Sequence, residues 1–121
     1  VDIGCTGIMV SNHGGRQLDG SRSPFDQLAE ICDAVGDKID VICEGGIQRG
    51  THILKALSVG AKACSAGRFY LYALGGGGQP GVERALEKIR MEVERDMKLM
   101  GIKNLEQLSR SNLRWRHPSL G

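Results

Sequence analysis

Within Ser11-Asn12-His13-Gly14-Gly15-Arg16-Gln17 two side chains able to do chemistry flank a pair of glycines. The imidazole of His13 can accept or deliver a proton near neutral pH. The guanidinium of Arg16 can hold a carboxylate through two parallel hydrogen bonds. Gly14 and Gly15 permit positive φ and let backbone approach a ligand closely. Base, turn and carboxylate clamp within four residues are what an enzyme acting on a small carboxylic acid needs. A second group of residues lies further on. Glu44-Gly45-Gly46-Ile47-Gln48-Arg49-Gly50, followed by Gly67-Arg68, combines glycine-exposed N–H groups, helix starts and arginine. Those features suit a phosphate dianion. No histidine or cysteine spacing suggests a metal site.

The elements that must position these groups can be read around them. Gly7-Ile8-Met9-Val10 is a short apolar run that predicts a buried strand leading into His13. Ser23-Pro24-Phe25-Asp26 is a helix start, with Ser23 as cap and Pro24 in the first position. Phe25, Leu28, Ala29, Cys32 and Val35 form one face of that helix, and Gly36 ends it. Ile39–Cys43 predicts a second strand. Gly50 or Thr51 is expected to cap a second helix, whose inner side is Ile53, Leu54 and Leu57. Ala61–Ala66 predicts a third strand. In each case the chemical residues follow the strand directly. Ligand sites of parallel α/β folds lie at the carboxyl ends of strands. The expected fold is therefore α/β, with parallel strands alternating with helices, and its barrel-facing side chains are expected to be Ile8, Val10, Val41, Cys43 and Cys64.

The heptapeptide at the first strand end resembles the signature of the FMN-dependent α-hydroxy acid dehydrogenase/oxidase family, which includes glycolate oxidase, lactate oxidase and flavin-type L-lactate dehydrogenase. The resemblance implies the carboxyl-terminal part of a (β/α)8 TIM barrel and FMN as cofactor. It implies His13 as catalytic base, Arg16 as ligand of the substrate carboxylate, and Glu44, Gly46, Gln48, Gly67 and Arg68 at the flavin and its phosphate. The implied reaction oxidises an (S)-2-hydroxy acid, of L-lactate or glycolate type, to a 2-oxo acid. Glu44 and Gln48 depart from the family's usual aspartate and arginine, and Phe69 stands where proline often follows Gly-Arg. The resemblance runs from about Cys5 to Ser111. It lacks the upstream half of the barrel, with its flavin-facing lysine and substrate-binding tyrosines. Inosine-monophosphate dehydrogenases and type 2 isopentenyl-diphosphate isomerases share the glycine segments but not Asn12–Arg16. A further alternative is an inactive half-barrel that binds phosphate at most and self-associates.

Composition limits the other classes. The chain has 121 residues, a net charge of +2 and 40% hydrophobic residues. Basic and acidic residues are intermixed, which excludes a nucleic-acid stripe. No run is long and apolar enough for a transmembrane segment, so the expected compartment is cytoplasmic. Cys5, Cys32, Cys43 and Cys64 stand apart within apolar runs and are expected to be buried and reduced. The start at Val1, close to a strand, reads as a piece of a longer protein. We expect one partial barrel domain over 1–121: β/α units over 1–74, then helices and tail over 75–121. Gly75–Gly78 reads as a linker before an amphipathic helix from Val82 to Met100. Gly101 ends that helix, Asn104 caps a short helix through Leu108, and Ser109–Gly121 is a polar, basic end with Trp115 as an anchor. An open sheet of this kind is expected to form a homo-oligomer.

Overall fold

The computed structural model describes residues 1–116. Three parallel strands, β1 (Gly7–Val10), β2 (Asp40–Glu44) and β3 (Ala63–Ser65), lie side by side in chain order. Gly7 pairs with Asp40 and Val10 with Cys43; Cys43 in turn pairs with Cys64. Helix α1 (Pro24–Val35) connects β1 to β2, and α2 (Gly50–Val59) connects β2 to β3. A long α3 (Arg68–Met100) follows, then short 3-10 turns at Leu105–Gln107 and Arg110–Asn112.

Local chemistry explains the boundaries. The Ser23 hydroxyl accepts from the Asp26 N–H at 3.2 Å and Pro24 opens α1, as its sequence predicts. Gly60, at φ 132°, closes α2. The expected cap at Gly50 or Thr51 is corrected: Arg49 is the cap residue and offers no capping side chain. The Glu92 carboxylate of α3 takes that role.

Val10, Val41 and Cys43 pack against Leu28 and Ala29 of α1 and against Ala56, Val59 and Ala61. Ile8 and Cys64 join the rim of this core. The residues expected to face the barrel interior therefore face the helices, and Met9, Ile42, Glu44, Ala63 and Ser65 occupy the other side of the strands. The reason is that a strand with period 2 and apolar residues on both faces carries no parity signal. Cys43 is buried, but Cys32 and Cys64 are half-buried and Cys5 is exposed, which corrects the expectation of four buried thiols; all four are free. Burial pushes the Cys43 thiol to about 11 and the Cys64 thiol to about 12, so neither is a ready nucleophile.

Two further differences concern the second half. The glycine run is no linker, and the division at residue 74 falls inside α3. The helix persists to a kink at Gly78 (φ 58°, ψ −149°), a conformation open to glycine alone, with Pro80 just beyond it. The segment after Asn104 is a 3-10 turn rather than a helix to Leu108. Arg110 clamps the tail to the ends of two helices. It donates to the Val59 carbonyl at 3.0 Å and to Asp33 at 2.6 Å. Trp115 docks beside Phe25, with ring centroids 6.3 Å apart. The rest of the basic end, residues 117–121, lies outside the described residues.

Candidate active site

Three loops leave the carboxyl ends of the strands on one side of the sheet. The first begins at Ser11, whose hydroxyl donates to the Glu44 carboxylate at the end of β2. The same oxygen accepts from the His13 N–H at 2.9 Å, and the Asn12 side chain accepts from the Gly14 N–H at 3.1 Å. These bonds wind the chain into a tight left-handed turn: φ is 54° at His13, 67° at Gly14 and 70° at Gly15. Left-handed backbone costs a residue with a Cβ roughly 1–2 kcal/mol. Only His13 bears that strain, and strain of this kind gathers at functional sites. The imidazole is exposed on the open side of the turn.

The second loop follows β2. Gly45 passes over the ring of Pro24 and Gly46 turns with φ 71°. A Cβ at Gly46 would meet nothing within 4 Å, so this backbone borders open space. Ile47 anchors the loop in the interior, and the Gln48 N–H donates to Nδ1 of His52 at 3.2 Å. The third loop is Gly67, the cap of α3. No side chain caps this helix start, so the N–H groups of its first turn point outward without helical partners. Arg68 reaches across from that turn, and its Nη2 donates to the Gly14 carbonyl at 3.3 Å. A Cβ at Gly14 would stand 2.8 Å from the same Nη2, so a side chain there would displace the Arg68 guanidinium, and φ 67° favours glycine in any case.

These loops enclose a cleft of ≈ 500 Å³. His13, Arg16, Glu44, Gly46, Gln48, Gly67 and Arg68 all line it, together with Phe69, Leu71 and Tyr72 of α3. The structure thus brings the expected base, carboxylate ligand and flavin-site residues to one place. Sequence reasoning missed Ser11, Asn12 and His52, which hold the loops. Ser11 and Asn12 carry a local signal, since hydroxyl and amide side chains before Gly-Gly favour turns closed on the backbone. Nothing local marks His52. Arg49 points away from the cleft and forms an ion pair with Glu92 at 3.0 Å. Among the described residues no cluster of histidine, cysteine and carboxylate could hold a metal ion.

The model of one protein family, "FMN-dependent dehydrogenase", matches residues 1–115. The chain belongs to this family. It is 46% identical over 112 residues to an L-lactate dehydrogenase of Caulobacter sp. (strain K31), covering 93% of this chain and 30% of that protein. It is also 46% identical over 112 residues to an L-lactate dehydrogenase (cytochrome) of Saccharomyces cerevisiae, covering 88% of this chain and 19% of that protein. Among solved structures, a soluble mutant of the membrane-associated (S)-mandelate dehydrogenase of Pseudomonas putida superposes with a TM-score of 0.87 at 37% identity, over 92% of this chain and 31% of the other. The chain therefore spans about a third or less of the relatives it matches. Its β/α units are a portion of the family's TIM barrel. Family membership decides against the inosine-monophosphate dehydrogenase and isopentenyl-diphosphate isomerase alternatives.

FMN is the cofactor of the family. The residues present fit its phosphate. Gly46 borders open space, the first turn of α3 is uncapped, and the guanidinium of Arg68 is exposed between them. Such N–H groups and a helix start favour a dianion.

Proposed function

We propose that this chain carries the catalytic base, the carboxylate anchor and the phosphate cradle of an enzyme oxidising an (S)-2-hydroxy acid of L-lactate or glycolate type to a 2-oxo acid. One observation carries the reading: loops from three successive strands put an imidazole and two guanidinium groups into a single cleft. Arg16 binds the substrate carboxylate, and bidentate geometry fixes the orientation of the α-carbon. His13 accepts the hydroxyl proton as general base. FMN, when bound, supplies the acceptor for the hydride that leaves the α-carbon. Gly46, Gly67 and Arg68 hold the phosphate through N–H groups and charge. Gln48 contributes hydrogen bonding without charge, and Glu44 fixes the neighbouring loop through Ser11.

Residues 1–121 serve as one partial barrel domain of the larger enzyme. No helix of the described residues is long and apolar enough to cross a membrane, and the free thiols suit a reducing, cytoplasmic setting. The decisive test mixes the flavin-loaded full-length protein with L-lactate or glycolate without oxygen and follows flavin absorbance. Bleaching supports the reading; an unchanged spectrum with every small 2-hydroxy acid sinks it. A second reading, a self-associating partial barrel without turnover of its own, draws support from the open strand edges and applies to this chain in isolation.

A further inference from the structure

Glu92 lies on the second half of α3 and is only 6% exposed, although it is a carboxylate. It accepts from the Gly50 N–H at 2.8 Å and from the Arg49 Nε at 3.0 and 3.1 Å. It thereby supplies the cap that α2 lacks from its own Arg49 side chain. The approach is close. A Cβ at Gly50 would stand 2.6 Å from the Val93 backbone nitrogen and 2.7 Å from the Glu92 Cβ, so α3 can sit here only against glycine.

The position matters because of what flanks it. The loop Gly45–Arg49 is held by Ser11 through Glu44 at its start and by His52 through Gln48 in its middle. Its end is held by Glu92 alone among these side chains, and from another helix. That helix begins at Arg68, on the opposite wall of the cleft. The two halves of α3, joined at the Gly78 kink, thus meet the site separately, the first through its opening turn and the second through Glu92. We infer that Glu92 is a positioning residue for the phosphate cradle, fixing the end of the Gly45–Arg49 loop against the second half of α3. The inference rests on the reading of Gly46, Gly67 and Arg68 as that cradle.

The test compares FMN with riboflavin, which lacks the phosphate, by titrating the flavin-free full-length protein and following flavin fluorescence. If the unaltered protein does not prefer FMN, the cradle reading itself fails. Given that preference, Glu92→Ala should weaken FMN about tenfold, the scale of one lost charge-assisted hydrogen bond, and change riboflavin less than about twofold. Glu92→Gln keeps an acceptor for the Gly50 N–H and should restore part of the preference. Equal losses for both flavins, or none for FMN, would show a merely structural ion pair and overturn the inference. Should Glu92→Ala fail to fold, Glu92→Gln decides, since it removes the carboxylate charge from both the Arg49 and the Gly50 contacts: FMN weakened more than riboflavin supports the role, and equal change or none refutes it.

Discussion

His13 combines two properties that rarely meet in a side chain of no importance: a left-handed backbone and an exposed imidazole at a strand end. His13→Ala relieves the strain and removes the base together. In the full-length enzyme the substrate-driven reduction of flavin should slow by roughly a hundredfold or more, the usual scale for a positioned base, while FMN stays bound. Stopped-flow absorbance reads both. Arg16→Lys keeps the charge but loses the fork, so substrate binding and the reduction step should each weaken, together by roughly tenfold or more. Saturation kinetics with L-lactate would expose an unaltered mutant. Gln48 invites the opposite change. Gln48→Arg adds a cation beside Gly46 and should tighten FMN by up to about fivefold, the range of an exposed ion pair, with riboflavin unaffected. These residues were legible in the sequence because their types and spacing declare their chemistry. Ser11, Asn12 and His52 were less so, because a hydroxyl, an amide or an imidazole that holds a loop looks like any other until its partner is known.

At the scale of elements, caps and terminators were readable and faces were not. Ser23-Pro24 announces α1 through local rules alone. Arg49-Gly50 announces nothing, because the group that completes α2 arrives from 42 residues later in the chain. Gly75–Gly78 misleads as well: glycine permits a linker, yet the exposed run stays helical up to the kink at Gly78. Gly50→Ala places a methyl against the backbone of α3 and should cost about 1–3 kcal/mol, the range for overpacking; a urea midpoint equal to that of the parent would contradict the close approach. The Glu92 pair has a pH signature. The Gly50 N–H first, and the Arg49 guanidinium after it, hold the Glu92 carboxyl below its ordinary value of 4.5, with Arg95 adding to the same direction. Its contribution to stability is therefore complete above about pH 4.5 and is lost as pH falls through the lower, folded value. Glu92→Gln should flatten the acid side of the stability profile. A profile as steep as the parent's would mean that other carboxylates govern it.

At the scale of the whole molecule, the sheet is three strands wide, and among the described residues nothing pairs with the outer edge of β1 or of β3. Unpaired N–H and C=O groups on such edges are templates for another chain. The strand face away from the helices adds to this, since Met9 is 53% exposed there. Fold class was legible in the sequence because alternation of strand and helix leaves few solutions. Which strand face meets the helices was not, because continuous apolar runs such as Gly7–Val10 fit either side. In the family's closed barrel further strands cover such edges, and this chain spans only about a third of relatives such as the Caulobacter enzyme. We therefore predict that a polypeptide of residues 1–121 alone associates with itself, binds FMN weakly and does not oxidise 2-hydroxy acids. The site residues are present, but a cleft open on one side cannot exclude water or orient a flavin ring from both faces. Light scattering gives the mass and a fluorescence titration gives the flavin affinity. A stable monomer that binds FMN tightly and is bleached by L-lactate would show that three β/α units suffice and that the rest of the barrel is dispensable for the chemistry.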